Sequence, residues 1–207
     1  MTSPFDVARN IIRKQAEKLA GWLDRITKSR LTPNQVTTAA LLLHLPVMYA
    51  ITTRHFTTAA ALLVVFGLFD TLDGSLARLQ KRVTKWGMVY DSVSDRIKES
   101  GIYLSLLYIF LHEGRIEEGL LVAALMAASI IVSYVKSAGG IALNAKDAQK
   151  TNRTFAKGLM RYEIRMAGIV LALLSQQFMP ILSILLVLTV FTVYQRFVAV
   201  YRGLDGN

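Results

Sequence analysis

Four aspartates interrupt stretches of chain that are otherwise apolar. Asp70 and Asp73 lie three residues apart within Phe56–Leu79, and Asp91 and Asp95 lie four apart within Met88–Leu111. Residues three or four apart share one face of an α-helix, so each stretch presents its two carboxylates together. Placing one such charge in hydrocarbon costs about 2.5–3.5 kcal/mol unless it faces a wet or cation-filled cavity. Carboxylate oxygens select hard divalent cations, magnesium, manganese or calcium, over softer metals. Cations in such a site stabilise charge on phosphate oxygens, and a carboxylate beside them can take a proton from a hydroxyl. The absence of cysteine excludes thiolate ligands, disulfides and a cysteine nucleophile. His44, His55 and His112 are scattered, with no ligand spacing among them.

Small and basic residues accompany the aspartates. Gly74 follows Asp73, Ala77 lies four residues after it, and Gly87 lies four before Asp91. Such positions let a neighbouring backbone or a phosphate approach closely. One turn beyond Gly74, Arg78 offers a forked donor suited to phosphate.

The elements that carry these residues belong to a membrane protein. Of 207 residues, 53% are hydrophobic and the mean hydropathy is +0.41, too apolar for a soluble domain of this length. Six apolar stretches, roughly 34–53, 56–79, 88–111, 119–143, 159–176 and 180–200, are each about the length of a transmembrane helix. Before them, Phe5, Val7, Ile11, Ile12, Leu19, Leu23 and Ile26 recur at helical spacing opposite Arg9, Arg13, Lys14, Lys18 and Arg25. That pattern predicts an amphipathic helix lying in the membrane interface. The first thirty residues hold no unbroken apolar core, so no cleavable signal peptide is expected. The predicted fold is therefore all-α, with an interfacial amphipathic helix over residues 1–30 and a six-helix transmembrane domain over 31–207. Thr32 is placed as an N-cap and Pro33 at the first helical position of the first span.

Charge sets the orientation. Fifteen Lys and Arg fall in the segments on one side, seven in residues 1–30, three between Lys81 and Lys85, four between Lys146 and Lys157, and Arg202. The other side carries Arg54 and Arg115. The positive-inside bias places both termini in the cytoplasm of a multi-pass protein of the cell membrane. All four aspartates then lie within roughly 7–16 Å of the cytoplasmic turn near Lys81–Trp86, at about 1.5 Å per helical residue. A net charge of +10 is explained by this topology and requires no nucleic-acid partner. A small ion or proton transporter would also use intramembrane acids, but here they crowd at one depth and leave the other half of the bilayer without titratable groups.

Together, Asp70-x-x-Asp73-Gly74-x-x-Ala77-Arg78, eight residues, and Gly87-x-x-x-Asp91-x-x-x-Asp95 resemble the signature of the CDP-alcohol phosphotransferase family, with every fixed position present. The Leu-Thr-Pro-Asn-x-Val-Thr run that opens the first span is similar too. The resemblance implies transfer of a phosphatidyl-type group from a CDP-lipid such as CDP-diacylglycerol to an alcohol, releasing CMP. It implies two divalent metal ions, Mg2+ or Mn2+, bound by Asp70, Asp73, Asp91 and Asp95, with Asp95 also acting as general base. By the same resemblance, Thr32, Pro33, Asn34, Gln35, Gly74, Arg78 and Thr84 would hold the CDP moiety, and the enzyme would be a homodimer with its active site on the cytoplasmic side.

Tyr90-Asp91-Ser92-Val93-Ser94-Asp95-Arg96 is most similar to the phosphatidylinositol phosphate and archaetidylinositol phosphate synthase branch, as are Ser133-Tyr134-Val135-Lys136 and Tyr194-Gln195-Arg196. Lys136, Arg161, Arg165 and Arg196 are cations at span positions near the cytoplasmic face, able to form a pocket for a phosphorylated alcohol. Inositol phosphate is the expected acceptor, with glycerol 3-phosphate the alternative.

Overall fold

The computed structural model of the chain describes residues 4–142 and 160–205, with the side chains of residues 4–13, Leu68, Asp70 and Asp205 outside the described residues. Its helices are α1 (Pro4–Ile26), α2 (Pro33–Thr52), α3 (Phe56–Leu79), α4 (Lys85–His112), α5 (Ile116–Ala142), α6 (Tyr162–Ser175) and α7 (Phe178–Asp205). No strand occurs among the described residues, as the apolar pattern predicts. The basic segment Lys146–Lys157 lies outside the described residues.

Four of these helices, α2, α3, α5 and α7, are long and apolar enough to cross a membrane, and the chain is a multi-pass membrane protein. The six expected spans are thus met in part by length and composition. Helix α4 has the length, but Asp91, Asp95, Arg96, Lys98 and Glu99 take it out of the apolar class. Helix α6 has 14 residues, about 21 Å at 1.5 Å per residue.

Local sequence explains where the helices start and stop. Thr32 has extended backbone (φ −92°, ψ 151°) and caps α2, with Pro33 in the first turn, where its missing N–H costs nothing. Four helices end in the same way. Lys28 (φ 51°), Arg54 (φ 62°), Lys81 (φ 55°) and Gly114 (φ 72°) turn left-handed just past α1, α2, α3 and α4. The next residue's N–H then reaches back to the last turn, as Arg82 does to the Ala77 carbonyl at 2.9 Å. This is the Schellman arrangement. Glycine adopts it without strain, whereas each of the three basic residues accepts about 1–2 kcal/mol for the left-handed backbone. Their charges beside the helix C-termini offset part of it.

The chain divides into two units, Met1–Ile102 and Tyr103–Asn207. In the first, α2 packs along α3 and α1 lies on α3. Ala20, Val36, Leu72 and Leu76 form a buried cluster, with Leu23, Leu31 and Phe69 against it. Leu72 and Leu76 are four apart and line this seam. Asp73 is rotated about 100° from Leu72 and leaves the apolar cluster for the polar head of α2. Gly101 on α4 meets α2 so closely that a Cβ there would run into Met48. The Gln80 side chain at the end of α3 donates to Asp24 Oδ1 at 2.7 Å and to the Leu31 carbonyl at 2.9 Å, fixing the segment that leads into Thr32.

In the second unit, α5 and α6 both pack against α7. Thr192 accepts from the Met160 N–H at 3.0 Å, and Arg165 donates to the Met160 carbonyl at 2.8 Å. These bonds pin the start of α6 to α7 where the backbone would otherwise leave polar groups unsatisfied in an apolar setting.

Candidate active site

The first unit brings the heads of α2 and α4 together. At the head of α2, the Thr32 hydroxyl accepts from the Gln35 N–H at 3.3 Å, and Gln35 Oε1 accepts from the Thr32 N–H at 2.9 Å. This reciprocal capping box commits the Gln35 carboxamide oxygen to the backbone. What remains for a ligand at this mouth includes the Thr32 hydroxyl proton, the Gln35 carboxamide N–H donors and the exposed side chain of Asn34. At the head of α4, the Thr84 hydroxyl accepts from the Gly87 N–H at 2.9 Å, so Thr84 is an N-cap rather than a plain loop residue. A Cβ placed on Gly87 would stand 3.0 Å from Thr84 Oγ1 and 3.4 Å from Asn34 Oδ1. Two helix N-termini, each a partial positive charge with donors to spare, thus meet at Asn34, Thr84 and Gly87.

Below this mouth, α2 ties both aspartate-bearing helices to itself through consecutive residues. Thr37 donates to Asp73 Oδ2 at 2.6 Å. Thr38 and the Tyr90 hydroxyl share a hydrogen bond of 2.8 Å, which brings α4 against α2 one residue before Asp91. Asp73 is 6% exposed, and its Oδ1 also accepts from the Gly74 N–H. Such short, charge-assisted bonds fix the carboxylate's rotation as well as its position. Gly74 leaves room for Arg78, whose Nη1 would lie 3.6 Å from a Cβ there and whose Nη2 donates to Ser75 Oγ at 3.2 Å. Arg78 is exposed and folds back over Gly74, with further donors for an anion.

Asp91 and Asp95 are half-buried, one turn apart on α4. Asp95 Oδ1 lies 2.9 Å from Lys98 Nζ, and Arg96 pairs with Glu99. The side chain of Asp70 lies outside the described residues, though its place on α3 is three before Asp73. Among the described residues, no three acidic or imidazole side chains converge closely enough to hold a metal ion as they stand. The donor chemistry nevertheless suits a hard divalent cation. Asp73, Asp91 and Asp95 supply only oxygen, and Asp73 is already oriented by neighbours that hold its carboxylate.

The basic residues expected to bind an acceptor lie in the second unit. Lys136 is exposed on α5, and Arg161 is half-buried at the head of α6. Arg165 is 1% exposed and donates to the Met160 carbonyl. Arg196 is 8% exposed, and its Nη1 donates to the Val132 carbonyl at 2.7 Å, joining α7 to α5. Four side chains that touch the motif or its supports were given no role by the sequence: Thr37, Thr38, Tyr90 and Lys98. Thr37 stands in the Leu-Thr-Pro-Asn-x-Val-Thr run, and Lys98 is a lone ammonium one turn past Asp95 in an apolar stretch. Both signals were available in the spacing.

The sequence pattern of the CDP-alcohol phosphatidyltransferase family matches residues 30–198. The chain is 34% identical over 115 residues to phosphatidylinositol phosphate synthase of Corynebacterium glutamicum, covering 54% of this chain and 52% of that protein. It is 32% identical over 100 residues to archaetidylinositol phosphate synthase of Pyrococcus horikoshii, covering 46% and 53%. The chain thus spans about half the length of these curated relatives. In fold, it is similar to crystal structures of Mycobacterium tuberculosis phosphatidylinositol phosphate synthase. The structure with CDP-DAG bound has a TM-score of 0.74 at 24% identity, covering 90% of this chain and 93% of that one. The structure in complex with manganese and citrate has a TM-score of 0.72 at 22% identity, covering 90% and 88%. At these identities the likeness establishes the fold.

Proposed function

The chain belongs to the CDP-alcohol phosphatidyltransferase family, and from that membership we propose that it is a phospholipid synthase. It transfers the phosphatidyl group of a CDP-diacylglycerol-type lipid to the hydroxyl of an inositol phosphate and releases CMP. The observation that carries this reading is the convergence of Asn34, Thr84 and Gly87 at two helix heads above a carboxylate, Asp73, that α2 holds through Thr37. A nucleotide diphosphate needs such a neighbourhood, with backbone donors and helix N-termini for the phosphates and carboxylates beside them.

In this mechanism Asn34, the Thr32 hydroxyl and Arg78 bind the cytidine and diphosphate oxygens, while Gly74 and Gly87 keep the approach open. Pro33 and Gln35 shape the mouth, Pro33 by presetting the first turn and Gln35 through the capping box. Thr84 contributes through its cap on α4. Asp70, Asp73, Asp91 and Asp95 would hold two divalent cations, magnesium or manganese, which supply charge neutralisation for the diphosphate when bound; the manganese in a neighbour of like fold supports this. Asp95 takes the proton of the acceptor hydroxyl as its oxygen bonds to the phosphatidyl phosphorus and the bond to the CMP phosphate breaks. Inositol phosphate brings about two negative charges, and Lys136, Arg161, Arg165 and Arg196 are the donors we assign to it. The relatives named as inositol phosphate lipid synthases support that acceptor over glycerol 3-phosphate.

We extend the same reading to topology. Helices α4 and α6 join α2, α3, α5 and α7 as spans, α1 lies in the interface, and both termini face the cytoplasm, as the fifteen basic residues of one side favour. A homodimer is implied by the family resemblance. The deciding experiment incubates purified protein with CDP-diacylglycerol, Mg2+ or Mn2+ and inositol phosphate, glycerol 3-phosphate, inositol and serine in competition. Release of CMP together with a phosphatidylinositol phosphate product identified by mass spectrometry is expected. No CMP with any acceptor overturns the reaction class, and CMP with a different lipid product overturns the acceptor.

A further inference from the structure

A buried lysine stands beside the proposed general base. Lys98 lies one helical turn beyond Asp95 on α4, its side chain is 1% exposed, and its Nζ is 2.9 Å from Asp95 Oδ1. An ammonium this deep in a protein requires a partner, because transferring it from water without one costs several kcal/mol. On the same stretch of α4, Arg96 pairs with Glu99. The segment Asp95–Glu99 therefore carries two interleaved (i, i+3) ion pairs, and the one that includes Lys98 falls on the carboxylate that must meet the acceptor hydroxyl.

We infer that Lys98 is a positioning residue for Asp95: by holding Oδ1 it fixes the rotation of the carboxylate, so that the same oxygen faces the reaction centre in every turnover. The inference rests on the proposed function, because it gives Asp95 its base role, but the pair itself exists independently of that role. A carboxylate on a helix flank has a broad torsion about its last bond, and a proton acceptor must stand within about 2.6–3.2 Å of its donor. An anchor on one oxygen removes that freedom. Lysine suits the task because its short, point-like head reaches Oδ1 along the same helix. A planar guanidinium carries its donors on a larger fork.

The test compares Lys98→Met, Lys98→Arg and Asp95→Asn/Lys98→Met with wild type, reading CMP release, Mn2+ binding by electron paramagnetic resonance, and Tm in detergent. Lys98→Met is expected to lower kcat roughly 10–100-fold, the scale of a small misplacement of a catalytic group, with the KM for CDP-diacylglycerol changed less than about threefold. Mn2+ should still bind in that variant, and Lys98→Arg should recover part of kcat. A Lys98→Met protein with wild-type kcat, or one whose kcat and KM move together without rescue by arginine, overturns the inference. Should Lys98→Met fail to fold, the double variant decides. It removes both charges of the pair and should have the higher Tm, and a double variant no more stable than Lys98→Met overturns the pairing. If wild type releases no CMP, the proposed function fails, while the Tm comparison still judges the ion pair.

Discussion

The hydroxyl of Thr37 on α2 donates to Oδ2 of Asp73 on α3 at 2.6 Å, across 36 residues of sequence. Asp73 is nearly buried, so this bond does two things at once. It offsets the cost of an intramembrane carboxylate, and it sets which way that carboxylate points. A hydrogen bond to a charged partner contributes about 1.5–3 kcal/mol, and 1.36 kcal/mol is tenfold in rate.

Thr37→Val keeps the shape of the side chain and removes its donor. CMP release is expected to fall about tenfold or more, and Mn2+ titration should show weaker binding. Thr37→Ser, which restores the hydroxyl, should recover most of both. A valine variant with unchanged CMP release and unchanged Mn2+ affinity would show that Asp73 needs no help from α2.

Gly87 tests the nucleotide mouth. An added methyl would stand 3.0 Å from Thr84 Oγ1, so the hydroxyl that caps α4 must give by a few tenths of an ångström, and it would touch Asn34 Oδ1 at 3.4 Å, filling the space between the two heads. Gly87→Ala should raise the KM for CDP-diacylglycerol about tenfold while kcat changes less. A change confined to kcat would mean that the nucleotide is bound elsewhere.

Thr32 separates structural support from ligand contact. Its capping box is worth about 1 kcal/mol, so Thr32→Ala should lower Tm by a few degrees, while Thr32→Asp, which can still accept from Gln35, should keep it. If the hydroxyl also serves the nucleotide, Thr32→Asp will retain Tm and yet raise the KM for the CDP-lipid, because a carboxylate repels the diphosphate. Equal KM values in wild type and Thr32→Asp would leave Thr32 with the cap alone.

Much of this site was legible because its logic is local. The spacing of Asp70, Asp73, Asp91 and Asp95 follows helix geometry, and Thr32-Pro33 is a start signal that needs no tertiary partner. Thr84 was harder, since its cap on Gly87 shows only once α4 is known to begin at Lys85. The pairings of Thr37 with Asp73 and Thr38 with Tyr90 depend on how α2 packs on its neighbours, which periodicity alone does not encode. The turns after α1, α2 and α3 were obscured for a different reason: Lys28, Arg54 and Lys81 take a backbone that glycine normally advertises. Hydropathy marked 88–111 as an apolar stretch, yet over the whole of α4 the charges of Asp91, Asp95, Arg96, Lys98 and Glu99 keep the helix out of the class apolar enough to span by composition.

The basic residues of the second unit divide by environment, and that division yields the last prediction. Arg196 is nearly buried and donates to the Val132 carbonyl at 2.7 Å, whereas Lys136 is exposed on α5. Truncating Arg196 therefore removes a bond between α5 and α7 as well as a charge, and Arg196→Ala should lower Tm by an amount corresponding to about 1–3 kcal/mol. Lys136→Ala removes a charge from an exposed position on α5. If Lys136 serves the acceptor phosphate, its loss should raise the apparent KM for inositol phosphate at least about fivefold and leave the KM for CDP-diacylglycerol unchanged. Unphosphorylated inositol, a poor substrate on this reading, should be used no worse by Lys136→Ala than by wild type, because the deleted charge has nothing to meet. Equal losses toward both acceptors would place Lys136 outside the acceptor's reach and leave its charge to the lipid headgroups.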